Sequence, residues 1–290
     1  MRNSILVTGA SGFIGRQALL PLQKKGFEVH TVSRSSCNLL DRKQTEELIK
    51  KIKPSHLLHS AWVTEHGKFW QAPENNNWLD ASKNLFRAFV ENGGRRIVVI
   101  GSCAEYDWRR KDGNPWRESD LCIPHTPYGK AKLDLLEWLE KSQMNYAWAR
   151  LFMLFGPHEN PARIIPYLIV SALKNTTAEC SSGMQVRDFL DTETCGRILA
   201  EISGSVLTGP VNVASGKGYS LKDIAAKISA ILKKPGNYKF GAIPDRPDDP
   251  PHMVADIKKL AEIVDVKNYG ISAALEKNIG WWKKNHSNKV

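Results

Sequence analysis

The chain has 290 residues, 42% hydrophobic and 24% charged, with a formal net charge of +11. That apolar fraction excludes wholesale disorder, and the length suits one large domain or two intimate ones. The basic excess is spread out, its densest patch (Arg109–Lys111) is short, and a nucleic-acid binder would concentrate its charge in a stripe or arm.

Residues 4–8 form a short apolar run ending in glycines and predict a buried parallel strand. Residues 13–25 carry Phe13, Ile14, Ala18, Leu19 and Leu22 at helical spacing. A second strand is predicted over 28–33. A helix over 46–51 ends at Pro54. Residues 56–61 suit a central strand, and 78–91 an amphipathic helix stopped by Gly93 and Gly94. A strand over 97–100, a helix over 133–139 and a strand over 147–152 follow. Strands alternating with helices predict a parallel sheet covered on both faces. After Gly156-Pro157 prolines multiply, and helical segments are expected at 163–173, 220–232 and 272–284. This half reads as a smaller lobe, and the polar tail after Trp282 is expected to fray.

No run of about 18 apolar residues predicts a membrane-spanning helix. The N-terminus turns glycine-rich before any apolar signal core, and five cysteines (Cys37, Cys103, Cys122, Cys180, Cys195) are odd and widely spaced. The expected setting is cytoplasmic, with reduced thiols. His56 and His59 fall on opposite faces of one strand, and no zinc spacing occurs, so no metal site is expected.

Strand 4–8 runs into Gly9-Ala10-Ser11-Gly12-Phe13-Ile14-Gly15 and then a helix. The glycines let the backbone turn sharply and approach a pyrophosphate, which the helix N-terminus attracts. At the end of the second strand, about 20 residues on, an NAD enzyme offers a carboxylate to the ribose. Here Arg34 stands instead, suited to a 2′-phosphate and aided by Arg16. The pattern favours NADP, with NAD as the alternative. Tyr128 and Lys132 lie one helical turn apart, so the lysine would stabilise a phenolate that otherwise forms near pH 10. Ser102 follows the strand at 96–101, at the sheet edge where ligands bind.

The string TGASGFIG, Ser102 and Tyr128-x-x-x-Lys132 together resemble the extended short-chain dehydrogenase/reductase family, including its nucleotide-sugar epimerases and dehydratases. Further segments are similar: Arg150-Leu-Phe-Met-Leu-Phe-Gly-Pro157, Arg187-Asp-Phe-Leu-Asp-Thr, Val211-Asn-Val-Ala-Ser-Gly216, and Arg246-Pro-Asp-Asp249 followed by Ala255-Asp256. The resemblance implies an α/β fold: a Rossmann-like doubly wound parallel sheet with a smaller C-terminal substrate-binding lobe. Residues 1–156, with 187–212 returning, would bind the dinucleotide. Residues 157–186 and 213–290 would bind a nucleotide sugar. It implies catalytic Ser102, Tyr128 and Lys132. It implies cofactor contacts from Gly9, Ser11, Gly12, Phe13, Ile14, Gly15, Arg34, Leu39, Ser60, Ala61, Tyr128 and Lys132. Substrate contacts are expected from Thr64, His66, Cys103, Glu105, Arg163, Arg187 and Arg246.

Related 4,6-dehydratases carry Asp-Glu after the serine equivalent, whereas Cys103-Ala104 stand here, and alanine cannot move protons. Ser102-Cys-Ala-Glu-Tyr106 is closer to reductases of NDP-4-keto-6-deoxyhexoses. Met153 stands where many relatives have Asn, so the sugar must sit differently. The expected activity is NADPH-dependent reduction of such a ketone; the alternatives are a 4-epimerase holding NAD, or a non-catalytic binding protein. The resemblance implies a homodimer through helices near 75–91 and 128–142, whose apolar Leu85, Phe86, Phe89, Leu135, Leu136 and Leu139 exceed one core-facing stripe.

Overall fold

The computed structural model describes residues 3–266 and 269–286. The first part alternates strands and helices: β1 (Ser4–Thr8), α1 (Gly15–Lys24), β2 (Glu28–Thr31), α2 (Arg42–Ile52), β3 (His56–His59), α3 (Glu74–Glu91), β4 (Arg96–Ser102), α4 (Pro127–Lys141) and β5 (Tyr146–Leu151). With β9 (Gly209–Val213) these strands form one sheet in the order β2-β1-β3-β4-β5-β9, every neighbour parallel. The chain leaves β1 toward β2 on one side and returns to β3 on the other. Such a reversal opens a crevice beyond the carboxyl ends of the strands.

Side chains alternate across the strands, so two cores form. Ile5, Val7, Val98 and Ile100 face α1 and α6 (Thr192–Gly204), meeting Ala18, Leu22, Ile198 and Ile202. Leu6, Leu57, Ile97 and Val99 face α2, α3 and α4. The six residues expected to spare a dimer surface, Leu85, Phe86, Phe89, Leu135, Leu136 and Leu139, are all buried in this second core. Two helices packed side by side on one sheet face bury more than a single stripe. The outward positions include the polar Asn76, Asp80, Arg87 and Glu137, with Val90 an apolar exception. The apolar count therefore gives no support to a dimer.

Several helices start earlier than periodicity alone predicts. Asp41 caps α2 by accepting from Gln44 N at 3.1 Å. Thr126 caps α4 by accepting from Gly129 N at 3.1 Å, with Pro127 in the first turn. Ser/Thr/Asp caps and a proline at the first position are helix-start signals that outrank the apolar count.

The second part contains β6 (Met153–Phe155), α5 (Ile164–Lys174), β7 (Ala178–Cys180), β8 (Val186–Asp191), β10 (Gly218–Ser220), α7 (Leu221–Leu232), β11 (Tyr238–Phe240), β12 (His252–Met253) and α8 (Ile271–His286). β8 is the hub of a separate small sheet, pairing with β6, β10 and β12. Helices α5, α7 and α8 pack around Phe155, Ile169, Ile228 and Leu275. Helix α8 continues past Trp282, so the chain does not fray there; residues 287–290 of the expected polar tail lie outside the described residues.

On the first face of the sheet α6 crosses α1. A Cβ on Gly196 would stand 2.2 Å from Gln17 O, so only glycine allows this approach. Gly196→Ala is expected to cost about 1–3 kcal/mol through overpacking, read as a lower urea midpoint. Gly204→Ala on the same helix meets only open van der Waals space at 3.9 Å and should leave the midpoint unchanged or slightly raised.

Candidate active site

At the crevice, β1 ends in a tight turn. Gly9 has φ +67°, and Gly12 N donates to Gly9 O at 2.9 Å. A Cβ on Gly15 would lie 2.3 Å from Gly9 O, and one on Gly9 2.8 Å from Ala61 N. The glycines thus bring the start of α1 onto the turn and the turn onto Ser60 and Ala61. Helix α1 begins with no side-chain cap and no acidic residue in its first turn. Its positive end suits a diphosphate, so the turn fits a dinucleotide. Ser11 and Gly12 are exposed, and Phe13 and Ile14 are partly buried. The Arg16 guanidinium folds back onto Ser11 O and, at 3.1 Å, Gly12 O. Leu39 packs its side chain into the second core.

A buried network keeps this edge in register. Thr8 Oγ1 accepts from Ser60 N and Ala61 N, both at 3.2 Å. It lies 2.8 Å from His59 Nδ1, and His59 Nε2 lies 2.9 Å from Ser82 Oγ. Ser82 Oγ already donates to Trp78 O, so His59 donates through Nε2 and accepts from Thr8 through Nδ1. Burial, then the Lys132 charge, holds the His59 pKa down at about 3, which keeps the ring neutral. His59 is structural.

At the end of β2, Arg34 is exposed and has no acidic partner among the described residues. Three serines that the sequence reading passed over flank it in the chain, and their hydroxyls cluster. Ser33 Oγ is 2.8 Å from Ser35 Oγ and 3.1 Å from Ser36 Oγ.

Ser102, Tyr128 and Lys132 come together at the carboxyl end of β4. Tyr128 lies in the first turn of α4, and a hydrogen bond to Ser102 opposes the rise in phenol pKa that burial causes. Lys132 is 2% exposed. Its Nζ donates to Ile100 O at 2.9 Å and lies 3.6 Å from the Trp62 ring centroid. Burial pulls its pKa down to about 7, with Glu105 pulling it back up. The carbonyl and the indole face stabilise the ammonium without neutralising it. Lys132 stands 5.9 Å from the Tyr128 ring centroid.

Two residues expected at the substrate are core groups. Glu105 is 0% exposed, and its carboxylate accepts from Ser102 N at 2.6 Å, Trp148 Nε1 at 3.0 Å and Arg150 Nε at 2.8 Å. With its lone pairs so committed, it serves Ser102 and not the sugar. The Ser102-x-x-Glu105 spacing is a capping box, a signal readable in the sequence. Cys103 is buried beside Tyr106, Trp116 and Phe152. Burial pushes its thiol up to about 12, so it is a filler and moves no proton near neutrality.

The remaining substrate candidates form a basic mouth. Thr64 and His66 are exposed on the loop after β3. Partial desolvation, then the charges of Arg163 and Arg246, lower the His66 pKa, and Arg163 also acts on Tyr128. Arg163 pairs with Glu159 at 2.8 Å. Arg246 is exposed, whereas Arg187 is buried and ion-paired with Asp249 at 2.6 Å. Among the described residues no group of three His, Cys, Asp or Glu side chains forms a metal centre, and no helix is long and apolar enough to cross a membrane.

Removing one partner of a buried ion pair strands the other charge. Glu105→Ala is therefore expected to destabilise the fold by about 3–5 kcal/mol, seen as a lower denaturant midpoint. The exposed pair Arg42–Glu46, 2.7 Å apart, provides the contrast: Glu46→Ala should shift the midpoint by less than about 1 kcal/mol.

Comparison with known proteins agrees with this geometry. The family model described as "NAD dependent epimerase/dehydratase family" matches residues 5–209. The chain is 25% identical to a GDP-6-deoxy-D-talose 4-dehydrogenase of Aggregatibacter actinomycetemcomitans, covering 94% of this chain and 95% of that protein. It is 23% identical to a dTDP-4-dehydro-6-deoxy-D-allose reductase of Streptomyces sp, covering 97% and 96%. Among solved structures, the UDP-glucose 4-epimerase of Thermotoga maritima with UDP-glucose superposes with a TM-score of 0.88 at 18% identity, covering 98% of this chain and 99% of that one. A match over most of the chain, on a doubly wound sheet whose glycine turn faces a Ser-Tyr-Lys cluster, makes this protein an enzyme of the NAD dependent epimerase/dehydratase family.

Proposed function

We propose that the chain is an NADPH-dependent reductase of a nucleotide-activated 4-keto-6-deoxyhexose. The observation that carries the cofactor choice is the end of β2, where Arg34 and the hydroxyls of Ser33, Ser35 and Ser36 gather without a carboxylate. A 2′-phosphate wants forked cationic and hydroxyl donors there, and a 2′-hydroxyl wants an acid. In this reading residues 1–156 with 187–212 carry the dinucleotide, and 157–186 with 213–290 carry the nucleotide sugar. The packing of α6 on α1 supports the first grouping.

The nicotinamide, when bound, supplies a hydride to the sugar C4. Ser102 donates a hydrogen bond to the carbonyl, and Tyr128 gives its proton to the oxygen as negative charge develops there. Lys132 offsets the negative charge left on the phenolate and is the group poised to hold a ribose hydroxyl. Arg163 and Arg246, which act together on His66, are the cations for the sugar-linked diphosphate. A 4-epimerase holding NAD would use the same three catalytic residues; the fold shared with the Thermotoga maritima epimerase keeps it as the second reading.

Three outcomes test the assignment. Tyr128→Phe is expected to lower kcat about 10²–10⁴-fold while circular dichroism stays native. Arg34→Glu is expected to raise the KM for NADPH about 10- to 100-fold, the equivalent of one charge-assisted contact, and to spare NADH. Lys132 has a folded pKa of about 7 against an ordinary 10.5. The folded chain therefore binds fewer protons than the unfolded chain between those values, and this site makes stability rise with pH across that window. Lys132→Met should accordingly stabilise the fold most below about pH 7, with the gain fading toward about pH 10, while abolishing activity; denaturant midpoints across pH check it.

A further inference from the structure

The mouth beside Tyr128 is aromatic on one side. Phe69 and Trp70, ending the loop after β3, meet the Tyr128 ring edge-on at 5.0 and 5.5 Å. Trp108 meets Trp70 at 6.0 Å. Trp70 is held by its backbone and Trp108 by its indole. Trp70 O accepts from Tyr128 N at 3.2 Å, and Trp108 Nε1 donates to Cys103 O at 3.0 Å, one residue past Ser102. Met153 packs against the same cluster as Trp108, and all four side chains stay partly exposed. The wall thus runs from Ser102 to Tyr128, with Met153 packed on the cluster behind Trp108.

We infer that Trp70, Trp108 and Met153 are specificity residues that select a sugar whose C6 is a methyl group over one whose C6 bears a hydroxyl. This rests on the reading of the site as one for a nucleotide sugar. The sugar C4 must sit between Ser102 and Tyr128 to react, which puts the neighbouring C5–C6 arm within reach of the rings. A methyl group there leaves water for an apolar surface. A hydroxyl there gives up its water, and thioether and ring faces return no comparable hydrogen bond. An apolar pocket rejects an added hydroxyl only moderately, by about 10²-fold.

The test uses binding, so it does not depend on turnover. Wild type and the variants Met153→Asn and Trp70→Ser are titrated by calorimetry with UDP-, dTDP- and GDP-6-deoxyglucose and with the matching glucose forms, which differ only at O6. With the preferred base, wild type should bind the deoxy form about 10- to 100-fold tighter. Met153→Asn should shrink that ratio by about tenfold, chiefly by improving the glucose form, and Trp70→Ser should shrink it by weakening the deoxy form. Equal wild-type affinities for the pair, or ratios unchanged in both folded variants, would overturn the inference alone. No binding of any sugar nucleotide by wild type would overturn the reading of the site as well.

Discussion

A carboxylate with no access to water cannot stand unpaired, and the active site is built around one. Glu105 and Arg150, 0% and 1% exposed at their side chains, meet at 2.8 Å between the end of β4 and the end of β5. From Glu105 the network holds Ser102 by its backbone. From Arg150 it runs through Tyr106 Oη at 2.9 Å to Asn212 Oδ1, 2.7 Å further on, in β9. Asn212 Nδ2 in turn donates to Trp116 O at 2.8 Å and Asp256 O at 3.3 Å. One buried pair thereby links Ser102, two sheet strands and the late segment of the chain.

Lys132 pulls against this stability. An ammonium at 2% exposure, held by one carbonyl and one indole face, is a cost that an apolar residue of similar size would remove. Perturbed groups of this kind gather where chemistry needs them. The contrast with His59 is instructive. Also buried, at the end of β3, it stays neutral and spends both ring nitrogens on Thr8 and Ser82. One buried base keeps the edge in register; the other is the charge that the proposed mechanism uses.

Much of this was legible beforehand. The parallel sheet, the glycine turn and the Ser102–Tyr128–Lys132 cluster follow from local pattern, because strand period, helix period and turn chemistry are written in short stretches. Glu105 was misread because burial of one carboxylate depends on Arg150 and Trp148, 45 and 43 residues away; its capping-box spacing was the available clue. Leu135 and Phe86 suggested a second contact surface because a helix wheel does not show that α3 and α4 share one core. The place of β8 in its own small sheet was hidden for a like reason: β6, β10 and β12 choose it by tertiary packing, and two of those strands have three residues and one has two.

The central claim is that hydride leaves NADPH for good and arrives at C4 of a nucleotide-sugar ketone. The direct measurement incubates the protein with NADPH deuterated at both nicotinamide C4 positions and NDP-4-keto-6-deoxyhexoses, then locates the label by mass spectrometry and NMR. The expected result is one deuterium at the sugar C4 for each NADPH consumed. No deuterium in the sugar and no net loss of NADPH, with a 4-hydroxy nucleotide sugar supplied in place of the ketone inverted at C4, would contradict it.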